Sequence, residues 1–360
     1  MQDPSFPLAR RVPSTRTHHG DTFVDDYEWL RDKESPETLA YLAAENTYTE
    51  ARTAHLAGLR QQIFDEIKAR TKETDLSVPA RIGGYWYYSR SIEGQQYGVS
   101  CRCPVASPDD WTPPRLDADV DVPGEQVLLD INELAEGHEF FALGTASISP
   151  DGNLLAFSTD TVGDERFLLR VKDLRTGEML PDEVPNTLGP AVWDLPGTVL
   201  FYTTVDDSWR PHKVWRHELG HPVADDVVVH HEQDERFWTS VGRTRSDKLI
   251  VIGSGSKTTT EYRVRDAADA VCDFRVVAPR RQGVEYGVEH AVIRARTGCS
   301  CCTTRTPRTT PWPPPPSTRR RRTSGSSCSR TTRRSGSRTS TRSPPTWWSA
   351  SAATASPRCG

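Results

Sequence analysis

The chain has 360 residues, with 45 Lys and Arg against 49 Asp and Glu and a formal net charge of −4. No apolar run reaches the ~18 residues that a membrane-spanning helix needs, and the opening MQDPSFPLARRVPSTRTHHGD lacks the apolar centre of a signal peptide. The body holds only Cys101, Cys103 and Cys272, too few for a disulfide framework, so a reducing, cytoplasmic setting is expected.

Residues 1–20 are polar, contain Pro4, Pro7 and Pro13, and are expected to lie extended on the surface. Ser35-Pro36-Glu37 reads as a helix start: a cap, a first-turn proline and an acid near the positive helix end. Leu39, Leu42, Ala43, Asn46 and Thr49 follow at helical spacing. A second helix is expected from about Leu56 to Arg70, with Leu59, Ile63, Phe64 and Ile67 on one face. Two such helices cannot form a core alone, so their apolar face must dock on something else.

From Val78 the pattern changes to strands, and it repeats. Tyr85–Ser89 is followed by Tyr97–Cys103, Leu154–Thr159 by Phe167–Leu174, Val199–Thr203 by Lys213–Leu219, and Leu249–Gly253 by Glu261–Asp266. Within each copy the second strand starts about 12 to 14 residues after the first. The third and fourth copies each start about 45 to 50 residues after the one before, the period of a propeller blade. Between Pro104 and Ala146 the first interval holds an insertion, with a Pro-rich loop over Pro104–Pro123, a strand at Val127–Ile131 and a helical turn at Asn132–Gly137. Asn186–Trp193, Asp225–His231 and Phe237–Arg243 supply further strands, and Gly283–Val292 leads into a fifth copy. One copy cannot bury its apolar face, so the copies must stack.

Near Ile293 the chain changes character. From Arg294 to Gly360 only Ala, Arg, Cys, Gly, Pro, Ser, Thr and Trp occur. Each of these is encoded with G or C at the second codon position. In GC-rich genes the third position is nearly always G or C, and a slip of one frame moves it to the second. The tail therefore reads as a frameshifted translation. Regrouping the codons of Gly298–Thr303 gives Leu or Val, Leu, Val or Leu, Leu and His, a strand-like run where the next copy is due. From Ala291 the tail holds 14 Arg and no Lys, leaving 31 Lys and Arg against 49 Asp and Glu before it, a formal charge of −18. Such a tail cannot bury a core and is expected to be disordered. The alternative is a non-enzymatic propeller-like module with a basic nucleic-acid-binding arm, which would bind in a salt-dependent way until residues 294–360 were removed. Cys299, Cys301, Cys302 and Cys328 lack paired zinc-ligand spacing.

No G-x-S-x-G nucleophile turn occurs. Gly253-Ser254-Gly255-Ser256-Lys257 lacks the glycine directly before the lysine of a phosphate loop and reads as a strand-end turn. His230-His231-Glu232 reads as a polar loop, because adjacent side chains cannot share a metal. Cys101 and Cys103 read as a buried pair, and His18-His19-Gly20-Asp21 as a turn. Arg166, Arg170 and Arg175 read as blade salt-bridge partners. No catalytic, cofactor-binding or metal-binding residue is assigned, and no cofactor, nucleic acid or membrane partner is expected.

The segments DDYEWLRD…ENTYTEA, GGYWYYSRSIEGQQY, EGHEFFALGTASISPDGNLLAFSTDTVGDERFLL and DERFWTSVGRTRSDKLIVI together resemble the oligopeptidase B group of the prolyl oligopeptidase family of serine peptidases, over residues 5–293. The resemblance implies a seven-bladed β-propeller that admits short peptides, a helical extension that wraps an α/β-hydrolase domain, a Ser-Asp-His triad in that domain, and cleavage after Arg or Lys. The expected fold is thus mainly β: a helical N-terminal extension over 1–75, an incomplete propeller of about four of seven blades over 76–293, and a disordered tail over 294–360. No position here matches the triad. The portion is expected to be inactive alone, with short peptides as partners of the intact family member.

Overall fold

Apolar runs that alternate between two buried faces make this a mainly β protein. In a computed structural model, residues 6–117, 122–269, 272–293 and 296–302 are described. The chain divides into two units, Met1–Asp75 and Leu76–Gly360.

In the first unit, Ser14–His18 pairs antiparallel with Asp21–Asp25. The segment is thus extended and mostly exposed, as expected, and its two strands pair with each other. The turn is His19-Gly20, both at positive φ (52° and 85°), the backbone that a two-residue hairpin turn requires. A helix over Pro36–Thr53 begins where expected: the Ser35 hydroxyl accepts from the Thr38 N–H and Pro36 fills the first turn. The second helix is Ala57–Arg70. Leu39, Leu42, Leu59, Ile63, Phe64 and Ile67 are all exposed, Ile67 by 61%.

The second unit is a series of antiparallel blades. Blade one has Ala80–Ile82, Tyr85–Ser91, Val99–Pro104 and Gln126–Asp130, followed by a short helix, Ile131–Ala135. Blade two opens on Ala142–Ile148, which lies in part within the stretch expected to be an insertion, and continues through Leu154–Asp160 and Phe167–Asp173. Blade three holds Val199–Val205, Pro211–Glu218 and Val227–His231; blade four holds Trp238–Arg243, Leu249–Gly255, Thr260–Asp266 and Arg275–Ala278. Each of the four repeated strand pairs is thus an antiparallel ladder.

One strand departs from the expected pattern. Met179–Trp193 runs 15 residues, pairs with Phe167–Asp173 in its first half and with Val199–Val205 in its second, and merges blades two and three into a seven-stranded sheet. It bends between the halves, where Asn186 and Gly189 take positive φ (59° and 63°) and the register shifts between Leu188 and Val192. Only its second half was expected, as Asn186–Trp193. A last hairpin pairs Gly287–Ile293 with Arg296–Cys302, so the backbone is paired beyond the expected boundary at 294. The expectation of disorder otherwise falls on residues outside those described.

Three cores lie between consecutive blades. Tyr87, Leu128 and Leu129 meet Phe141, Leu155 and Phe157. Leu169, Val171 and Val184 meet Trp193, Leu200 and Tyr202. Val199, Phe201 and Val214 meet Val241, Ile250 and Ile252. Along Val199–Tyr202 neighbouring residues serve alternate cores, as the two-residue strand period dictates. On blade one's other face, Trp86, Tyr88, Val99, Cys101 and Cys103 pack with Val105, Leu116 and Val122 of the Pro-rich loop. Phe201 is fully buried whereas Val227 is half exposed. Phe201→Ala should therefore cost about 3–5 kcal/mol, and Val227→Ala under about 1 kcal/mol, in urea unfolding followed by tryptophan fluorescence.

Candidate functional site

The turns that join the first two strands of each blade converge at one mouth. A cavity of about 450 Å³ is lined by Gly83-Gly84 of blade one, Ser149–Gly152 of blade two, Leu195 of blade three, and Arg243 and Asp247 of blade four, over a floor that includes Tyr87, Leu128 and Leu155. The blade-two turn is self-bracing. Asp151 accepts from the Ser149 hydroxyl (2.5 Å) and from the Asn153 N–H (3.0 Å), and Gly152 takes φ 77°. The Ser149 hydroxyl bond, working against partial burial, holds the Asp151 carboxyl below its ordinary range. Arg102 fixes this turn to blade one: Nη1 donates to Gly152 O (2.6 Å), Nε donates to Gln126 Oε1 (2.8 Å), and the guanidinium lies 3.9 Å from the Tyr85 ring centroid. Gln126 in turn donates to Leu174 O. Arg243 Nε pairs with Asp247 Oδ1 at 2.9 Å.

No histidine lines this mouth, and its Ser149 hydroxyl donates to the Asp151 carboxylate, which also accepts from the Asn153 N–H and side chain. The lining has apolar walls and fixed turn dipoles.

Two buried polar clusters lie elsewhere. His217 is fully buried, with Nδ1 2.7 Å from Asp226 Oδ1 and Nε2 3.1 Å from Asp182 Oδ1. Tyr202 donates to Asp226 (2.8 Å) and the Gly220 N–H to Asp182 (2.6 Å). Among the described residues the ring's partners are these two carboxylates, and the cluster braces neighbouring strands. In the second cluster Arg280 pairs with Glu232 (2.5 Å) and Glu261 (3.4 Å), and lies 4.1 Å from the Phe237 ring centroid. Burial acts to raise the Glu232 carboxyl, but Arg280 and the Asp234 N–H outweigh it and hold it below its ordinary value.

The residues singled out in the sequence do not assemble into one site. His230 and His231 end a strand, as the expected strand over Asp225–His231 has it and the polar-loop reading does not. His230 Nε2 sits 3.1 Å from Ser254 Oγ, His231 packs edge-on against His212, and Glu232 is the buried partner of Arg280. Gly253–Gly255 completes a strand, and a Ser256-to-Thr259 turn follows it. Cys101 and Cys103 are buried free thiols, and burial pushes Cys101 up to about 12. Arg175 grips Asp173 with two bonds and Arg166 lies 3.8 Å from Asp164. Arg170, expected as a salt-bridge partner, has no ion pair among the described residues; it donates to Thr159 Oγ1 (3.2 Å) and lies 5.3 Å from the Phe157 ring centroid. Arg102 and Arg280 were missed, since neither sits in a motif.

Burial, reinforced by the Arg263 charge, pushes the His230 imidazole down to about 4. The unfolded chain, with a value near 6.5, then binds more protons than the folded one between pH 6.5 and 4. Stability from this group is complete above pH 6.5 and falls as pH drops through that window. His230→Gln should flatten the fall in urea midpoint between about pH 7 and 4.5; an unchanged slope would assign the fall to other groups.

A family model described as "Prolyl oligopeptidase, N-terminal beta-propeller domain" matches residues 7–299. Dipeptidyl aminopeptidase BI of Pseudoxanthomonas mexicana is 40% identical over 287 residues, which cover 79% of this chain and 40% of that protein. Protease 2 of Moraxella lacunata is 35% identical over the same shares. Among solved structures, oligopeptidase B from Leishmania major aligns with a TM-score of 0.73 at 30% identity, covering 80% of this chain and 42% of that one. Oligopeptidase B from Trypanosoma brucei aligns at 0.70 and 32%, covering 79% and 41%. The chain thus spans about two fifths of the length of these relatives. A blade series with cores between consecutive sheets, matched over 7–299, places this chain in the prolyl oligopeptidase family, of which it carries the N-terminal β-propeller portion.

Proposed function

We propose that the chain is the propeller portion of an oligopeptidase B-like serine peptidase that hydrolyses short peptides after Arg or Lys. In this reading the blade mouth admits peptides and the catalytic triad belongs to a hydrolase domain outside these residues. The observation that carries the reading is the family match over residues 7–299, joined to the 40% identity with dipeptidyl aminopeptidase BI. Two described serine hydroxyls touch a histidine, Ser254 at 3.1 Å from His230 Nε2 and Ser246 at 2.7 Å from His290 Nδ1, and this reading assigns hydrolysis to neither pair. One further feature supports it. The apolar faces of both N-terminal helices are exposed, as expected of an extension that docks on a further domain.

Localisation and the tail complete the reading. Cys101 and Cys103 are unpaired, which suits a reducing cytoplasm, and among the described residues no helix is long and apolar enough to cross a membrane. Residues 294–360 use eight residue types, as a frameshifted reading of a GC-rich gene would.

Purified chain incubated with benzyloxycarbonyl-Arg-Arg-p-nitroanilide should release no chromophore above the buffer blank. Release that a serine-directed phosphonate abolishes would overturn the assignment of catalysis to other residues. Sequencing genomic DNA across codons 285–305 and downstream should reveal a single gained or lost base, after which the open frame continues to a G-x-S-x-G turn. An unbroken reading with the sequence given would refute the frameshift.

A further inference from the structure

A second cavity, of about 520 Å³, lies between blades three and four, away from the mouth. Its lining carries no charged side chain. Three aromatic residues, Trp209, Trp238 and Tyr262, stand there among small hydroxyl residues that include Thr239, Ser240 and Ser256. Trp238 is 55% exposed. The Trp238 indole N–H and the Tyr262 and Ser240 hydroxyls make no hydrogen bond among the described residues. Gly253 keeps the floor open beside them: a Cβ there would come within 2.9 Å of the Tyr262 ring and 3.4 Å of Ser240 Oγ.

The two tryptophans are held by turns that share one guanidinium. Trp209 sits at φ 62°, a left-handed backbone that is costly for a bulky residue and persists only where its surroundings fix it. The turn is braced accordingly. The Trp209 N–H donates to Asp206 O (3.0 Å), the Asp206 carboxylate accepts from the N–H groups of Ser208 and Arg210 (both 3.0 Å), and Trp209 Nε1 donates to Asp164 O (3.2 Å). Buried Arg210 then ties this turn to the one before Trp238: Nε donates to Asp206 Oδ2 (3.0 Å), and Nη1 reaches Asp234 O (3.2 Å) and Phe237 O (3.1 Å). An uncharged lining offers no counter-ion to a carboxylate, phosphate or ammonium group. Its aromatic faces, negative at the centre of the ring, attract the C–H face of a pyranose ring, and the free N–H and O–H groups beside them suit that ring's hydroxyls.

We propose that this groove is a binding site for a neutral saccharide of one or two pyranose rings, with its C–H faces stacked on Trp209 and Trp238 and its hydroxyls bonded to Trp238 Nε1, Tyr262 Oη and Ser240 Oγ. The proposal goes beyond the peptidase reading and does not rest on it, because the lining belongs to blades three and four alone and binding is read without hydrolysis.

The test is isothermal titration of the full chain with cellobiose and with maltose, and with sorbitol, which has the hydroxyls but no ring face. At least one disaccharide should bind saturably in the millimolar range, and sorbitol should not. Trp238→Ala should weaken binding roughly tenfold. Trp209→Gly, which accepts the left-handed backbone without strain, should weaken it to a similar extent. Tyr262→Phe, which removes only the hydroxyl, should weaken it severalfold. Thermal midpoints of Trp238→Ala and Tyr262→Phe should match the parent chain, which separates lost binding from lost folding. No saturable binding of either disaccharide, equal binding of sorbitol, or unchanged affinity in both of those variants would overturn the proposal. So would tighter binding of acetyl-Leu-Pro-Pro-Pro-Pro-amide that Trp238→Ala abolishes, since the groove would then be a peptide surface.

Discussion

Successive blades hold one another through side chains that alternate along single strands. Leu200 and Tyr202 belong to the core shared with blade two, while Val199 and Phe201 belong to the core shared with blade four. Tyr87 faces blade two, while its neighbours Trp86 and Tyr88 face the Pro-rich loop. No blade of this kind is complete alone, because half of each strand's apolar surface finds its cover on the next sheet. Register is fixed by the same fact: a slip of one residue would exchange the two cores of every strand.

This constraint explains which elements were legible in the sequence. A strand buried on both faces is apolar at nearly every position, so YWYYS, LLAFST, VLFYT and LIVIG stand out even without alternation. The strands that were missed are apolar on neither pattern. Ala142–Ile148 has only Leu143 and Ile148 among smaller residues, and its Gly144 leaves room for the Phe167 ring, which a Cβ would meet at 2.5 Å. The first half of Met179–Trp193 contains Pro181, Asp182, Glu183 and Pro185, which read as a loop. The hairpin over Ser14–Asp25 is almost wholly polar; its signal was the His19-Gly20 turn, which was read only as a turn.

The sites divide in the same way. Each blade's turn could be read locally, and Ser149-Pro150-Asp151-Gly152 announces itself as turn chemistry. Their convergence at one mouth could not, because it depends on how blades 45 to 50 residues apart in sequence are stacked. Arg102 and Arg280 show the limit most clearly. Each is an isolated arginine in sequence, yet one ties two blades through Gly152 and Gln126 and the other neutralises two buried carboxylates. Long-range partners of this kind leave no local spacing to detect.

The strand that passes unbroken from blade two to blade three carries a mechanical meaning. Because Met179–Trp193 donates and accepts ladder bonds on both sides of its bend, blade two cannot be peeled from blade three without tearing one continuous sheet. Blades three and four share a core and a Leu195-to-Ala267 backbone bond, but no ladder among the described residues. The array is therefore jointed unevenly: one continuous sheet in the middle, with flanking sheets fastened to it through side-chain cores.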